Sequence, residues 1–99
     1  MSKYLLSNQA SKDLEAIWNY TYDEWSEAQA DKYFDMLLSG CSQISLHPKI
    51  GRQYQELGDN IFAYRVAKHI IFYRKMDNSG QILILRFLHV SMDFKSHNI

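Results

Sequence analysis

The chain has 99 residues, which suits one domain with one core and leaves no room for two. A hydrophobic share of 46%, with two Trp, seven Tyr and five Phe, excludes a disordered chain, and a single cysteine excludes an internal disulfide. The formal net charge is zero but unevenly divided: residues 1–60 hold five Lys/Arg against nine Asp/Glu, and residues 61–99 hold six against two.

The first apolar run, around residues 3–6, reads as a short strand too brief for a signal peptide, and no segment has the length of a membrane span. A protein of the reducing cytoplasm is the expectation. Ser7 or Asn8 then caps a helix, since either side chain can accept a first-turn N–H. Ala10, Leu14, Ile17, Trp18, Thr21 and Trp25 follow at spacings of three and four, which places them on one helical face. Ser26 and Gln29 have the spacing of a capping box for a second helix, and Glu27 favours the positive end of its dipole. Ala30, Tyr33, Phe34, Leu37, Cys41 and Ile44 carry the period on until His47-Pro48 stops it. Two helices with almost no linker must fold back as an antiparallel hairpin, about residues 8–46.

Beyond Pro48 the period changes. Residues 49–60 read as a connector, followed by extended runs at 61–67, 69–75 and 81–90 rich in β-branched and aromatic residues. Asp77-Asn78-Ser79-Gly80 supplies turn chemistry between the last two, and Ala67-Lys68 offers a tighter turn. "ILIL" at 82–85 is apolar at every position, the pattern of a central strand covered on both faces. The expected fold is α+β: a helical hairpin packed on a small antiparallel sheet, about 61–90, with a tail at 91–99.

The chemistry-bearing residues gather at the end of the last strand, in "LRFLHVSMDFKSH". His89, Asp93 and His97 stand four apart, so a helical tail would align them as metal ligands, whereas a frayed tail would scatter them. Arg65 and Arg86 could stabilise phosphorane charge while His89 and His97 moved protons, which is metal-free phosphodiester cleavage. Against that, an arginine ending an apolar strand more often pairs with a carboxylate, here Asp93 or one on a helix. Strict alternation puts Arg86 with Ile82, Ile84 and Leu88, and His89 with Leu83, Leu85 and Phe87. Cys41, among Leu37 and Ile44, reads as a small buried hydrophobe rather than a nucleophile. Protein recognition explains both the aromatic surplus and the thin catalytic set, so the residues favour a binding protein with no metal or cofactor.

"YLLSNQASKDLEAIWNYTYDEWSEAQADKY", "HPKIGR", "HIIFYR" and "ILRFLHVSMDFKSH", in that order and over nearly the whole chain, resemble the ParE branch of the RelE/ParE toxin superfamily. The resemblance implies the toxin of a ParDE-type type II toxin–antitoxin pair, a growth inhibitor that poisons DNA gyrase. It also implies a hetero-oligomer with a ParD-like antitoxin that orders on contact, and no membrane or sequence-specific nucleic-acid partner. The RelE branch shares the fold and cuts messenger RNA on the ribosome. Its strand resembling "YRVAKHIIFY" carries a second arginine that serves the chemistry, where this chain has Ile70. The resemblance thus favours a non-enzymatic inhibitor, with a RelE-like nuclease or a non-toxic antitoxin-binding remnant as the other outcomes. Expected target contacts are Arg65, Arg86, His89, Met92, Asp93 and His97. Expected antitoxin contacts are Tyr4, Trp18, Trp25 and Tyr33, where hairpin meets sheet.

Overall fold

A computed structural model of the chain describes residues 4–76, 80–94, 97 and 99. A short strand β1 (Tyr4–Leu6) leads into helices α1 (Asn8–Glu24) and α2 (Glu27–Leu46), followed by strands β2 (Arg52–Gln53), β3 (Phe62–Val66), β4 (His69–Lys75) and β5 (Ile82–His89). The five strands form one sheet in the order β1-β5-β4-β3-β2. The pairs β2–β3, β3–β4 and β4–β5 are antiparallel, as expected, but β1 joins β5 in parallel. The sheet is therefore mixed. The connector also holds more order than its sequence suggests, with β2 and a 3-10 turn at Gln55–Leu57.

Both helix starts are capped where the sequence places them. Ser7 Oγ accepts the Ala10 N–H and Ser26 Oγ accepts the Gln29 N–H. Ser7 does more: its hydroxyl donates to the Leu85 carbonyl at 2.8 Å and its N–H to the Ile84 carbonyl at 2.9 Å. One serine thus starts α1 and fastens it to the middle of β5. At the other end of the hairpin, Pro48 follows the His47 cap, and the buried Tyr73 hydroxyl donates to the Pro48 carbonyl while accepting the Gly51 N–H. A side chain at Gly51 would collide with that phenol and with the Ala63 carbonyl, so the close approach requires glycine.

The main core lies between hairpin and sheet. Ala10 and Leu14 of α1 and Leu37, Cys41 and Ile44 of α2 meet Ile71, Tyr73, Ile82, Ile84 and Phe87. Each fully buried Leu or Ile there contributes about 1.5–3 kcal/mol. The sheet's second face carries a smaller cluster of Ile61, Ala63, Phe72 and Leu88, covered by Tyr54, Leu57, Ile70, Leu85, Phe94 and Ile99.

One irregularity decides which residues share a face. Phe72 pairs with Arg86 but Tyr73 pairs with Ile84, so Leu85 is an extra residue in β5. Strict alternation fails there. Phe87 and His89 fall on the hairpin face with Ile82 and Ile84, and Leu88 falls on the second face. Residues 77–79 of the expected β4–β5 turn lie outside the described residues, though Met76 N–H bonds the Gln81 carbonyl across it. The β3–β4 turn is the tight one at Ala67-Lys68, where Ala67 takes a left-handed φ of 53°. Arg65 Nε donates to the Ala67 carbonyl and Lys68 N–H to the Tyr33 hydroxyl, holding a conformation that costs a non-glycine residue about 1 kcal/mol.

Candidate functional site

Arg86 is paired with a helix carboxylate. Its Nε and Nη2 donate to the two carboxylate oxygens of Asp13 at 2.7 and 2.9 Å, and the Phe87 N–H donates to the same carboxylate at 3.0 Å. The pair lies at 16% and 14% exposure. β1 ends opposite Ile84, and Asp13 on α1 takes over beyond it, satisfying the backbone that a longer strand would have paired. The arginine's partner is thus a helix carboxylate, and its guanidinium pKa is raised by the hydrogen bond to Asp13.

His89 belongs to a second group on the hairpin face. His69 and His89 are a cross-strand pair with edge-to-face rings 5.3 Å apart. Tyr33 of α2 reaches His69 Nδ1 at 2.6 Å, and its hydroxyl also accepts the Lys68 N–H. His89 Nδ1 accepts the Ser91 N–H at 3.1 Å. Burial, with help from nearby His89 and against the pull of Asp13, lowers the His69 pKa from 6.5 to about 4. The unfolded chain therefore binds this proton near pH 6.5 and the folded chain only near 4. His69's contribution to stability is complete above pH 6.5 and is lost as pH falls toward 4. Urea unfolding across that window is expected to show a falling midpoint, and His69→Gln a flatter one.

Arg65 lies across from Ile70, so the two share the sheet's second face. Ile70 packs into the second cluster, and the Arg65 side chain is exposed. Arg52 and Arg74 fall on the same face by register, opposite Ala63 and Leu83. Arg52 sits over the Tyr54 ring, 5.7 Å from its centroid. A hollow of about 370 Å³ beside them is lined by Tyr54, Glu56, Leu57, Met92, Asp93 and Phe94. The expected nuclease set is therefore divided: Arg65 on one face, His89 on the other, and Arg86 committed to Asp13. His97 donates its N–H to Phe94 in the chain's last described turn. After β5 the chain turns at Val90-Ser91 rather than continuing as a helix, so His89, Asp93 and His97 are not aligned. Among the described residues, no three His, Cys, Asp or Glu side chains gather closely enough to hold a metal ion. Cys41 is fully buried and its thiol pKa is pushed up to about 12 by that burial.

The four aromatic residues assigned to the antitoxin do not form one patch. Trp25 caps the end of α1 and is 75% exposed at the hairpin tip, away from the sheet. Tyr33 is engaged with His69, and Tyr4 is half-buried on the edge strand. Of the four, Trp18 lines a groove of about 500 Å³ walled by Leu6, Ser11, Leu14, Glu15, Trp18, Asp31 and Phe34. Its indole N–H donates to Asp31 at 3.0 Å across the hairpin, and its ring stacks on Tyr22. Leu6 places the groove beside β1, the edge strand of the sheet among the described residues. Asp13, His69 and the groove's Leu6, Leu14 and Phe34 escaped sequence reasoning. The apolar spacing marked Leu14 and Phe34 as core, and nothing local distinguishes a groove wall from a core position.

No helix among the described residues is long and apolar enough to cross a membrane. Residues 4–94 match the family model of the ParE toxin of the type II toxin–antitoxin system parDE. Toxin ParE1 of Mycobacterium tuberculosis is 37% identical over 92 residues, covering 93% of each chain. Toxin ParE1 of Caulobacter vibrioides is 32% identical over 97 residues, covering 98% of each. A solved chromosomal ParDE system from P. aeruginosa superposes with a TM-score of 0.77 at 17% identity, covering 92% of this chain and 98% of that one. The M. tuberculosis toxin–antitoxin complex RelBE2 does so with 0.68 at 18%, covering 92% and 93%. The fold is therefore the RelE/ParE one, and over nearly its whole length the chain belongs to the ParE toxin family of type II toxin–antitoxin systems.

Proposed function

We propose that this toxin acts by binding DNA gyrase, without cutting RNA, and that a ParD-like antitoxin neutralises it in the cytoplasm. The carrying observation is the composition of the second sheet face. A metal-free nuclease needs cations and proton-transfer groups on one surface, and losing a single transition-state donor costs about 3 kcal/mol. Here Ile70 packs against the apolar cluster, and the imidazoles of His69 and His89 lie on the opposite face. What remains on the second face suits recognition: Arg65, Arg52 and Arg74 around aromatic surface, with Met92 44% exposed at the hollow. Arg65, Met92, Asp93 and His97 are the target contacts of this reading, and Arg86 and His89 support the fold behind them.

The antitoxin's seat is the groove at Leu6, Leu14, Trp18 and Phe34. An apolar trough beside β1, the edge strand among the described residues, suits a segment that is disordered alone and orders on docking. Purified toxin is expected to block gyrase supercoiling and accumulate cleaved DNA while leaving ribosome-bound message intact. Arg65→Ala is expected to weaken that inhibition at least about tenfold, the loss of one good charged contact. Message cleavage with normal supercoiling would reverse the assignment. Unimpaired growth on expression without antitoxin would instead mark a non-toxic remnant.

A further inference from the structure

Among the described residues that line the groove proposed above as the antitoxin's seat, both charged side chains, Glu15 and Asp31, are acidic. Residues 13–31 contain six Asp/Glu and no Lys or Arg. Of these, Asp13 is bound to Arg86, while Glu15 and Asp31 line the groove itself and are exposed. Lys12 and Lys32 neighbour this stretch in sequence but do not line the groove. The floor is apolar, with Leu6, Leu14 and Phe34, and the Trp18–Tyr22 stack extends the aromatic surface toward the hairpin tip, where Trp25 stands exposed among Asp23, Glu24 and Glu27.

We propose that Glu15 and Asp31 select a cationic partner, so that the docking segment is amphipathic and carries Lys or Arg beside its apolar anchors. The apolar floor contributes affinity for any greasy segment. The acidic rim decides among them: an acidic flank meets like charge, and a basic one is drawn in and held. The aromatic surface strengthens the choice, because a cation is attracted to the face of an indole or phenol ring. Asp31 is fixed for this role by the Trp18 indole, which occupies one carboxylate oxygen and leaves the other open. The inference rests on the groove being the antitoxin's seat, but it concerns charge, which can be separated from location.

The experiment measures association and dissociation rates between the toxin and the purified product of the open reading frame adjoining its gene, at several salt concentrations. Wild-type association is expected to fall steeply with salt. Glu15→Gln/Asp31→Asn keeps both volumes and the Trp18 acceptor, and is expected to slow association about tenfold at low salt and to flatten the salt dependence. Thermal unfolding of the double variant checks that the fold is intact. Unchanged rates and salt slope in the double variant, with Trp18→Ala still abolishing binding, would overturn the charge selection and leave the groove as the seat. If Trp18→Ala also binds normally, the seat itself is misplaced. Self-association of the toxin that the double variant abolishes would make a second copy the occupant and overturn the proposal.

Discussion

Asp13→Ala is expected to destabilise the fold by about 3 kcal/mol, the low end for breaking one side of a mostly buried ion pair. In a domain of this size that corresponds to a fall in Tm of at least about 12 °C. Two losses combine. Arg86, at 16% exposure, would keep its charge with no carboxylate beside it, and the Phe87 N–H would lose its acceptor. Asp13→Asn should cost less, because the amide oxygen can still accept one of these bonds. Asp13→Leu/Arg86→Met should recover much of the loss, since removing both charges eliminates the desolvation penalty that removing one exposes. The cycle of these variants isolates the coupling energy. A loss under about 1 kcal/mol for Asp13→Ala would mean the pair is solvated and worth no more than a surface bridge.

The same pair shows where sequence reading stops. Helix starts at Ser7 and Ser26 were legible because a cap is a local hydrogen bond, and the stop at Pro48 because proline's constraint is covalent. The runs that became β3, β4 and β5 were legible from composition. The partner of Arg86 was foreseen only as some carboxylate, since Asp13 lies 73 residues away and nothing local links them. The extra residue at Leu85 has no signature in an all-apolar run, yet it reverses the face of every residue after it, moving His89 away from Arg65. Trp25 fitted the helical spacing but falls at the cap, where the helix has ended and the side chain turns to solvent. The parallel pairing of β1 is equally unreadable, because a three-residue strand carries no information about direction.

This division of faces gives the central strand two separate jobs. On the hairpin side its residues complete the main core and the His69–His89 pair. On the other side they support the surface assigned to the target. If the proposed assignments hold, target and antitoxin are met on opposite sides of the sheet, the groove beside α1 and the arginine-bearing face beyond. Neutralisation under this reading does not require the antitoxin to cover Arg65 directly.

Phe72 tests the second face. It is fully buried at the centre of that face, with the Phe94 ring edge-on at 5.0 Å and the Tyr54 ring tilted at 6.0 Å. These contacts tie the connector and the tail to β4, so the hollow at Met92 and Asp93 depends on them. Phe72→Ala is expected to cost about 3–5 kcal/mol, the transfer energy of the ring plus the cavity it leaves. Phe94→Ala removes a half-buried ring and should cost less, but it removes the wall of the hollow itself. The two variants therefore separate stability from recognition. Phe72→Ala should show a large fall in urea midpoint, while Phe94→Ala should remain folded and lose gyrase inhibition out of proportion to its stability. If Phe94→Ala stays folded and inhibits normally, the target does not read this face, and the contact surface must be sought on the hairpin side.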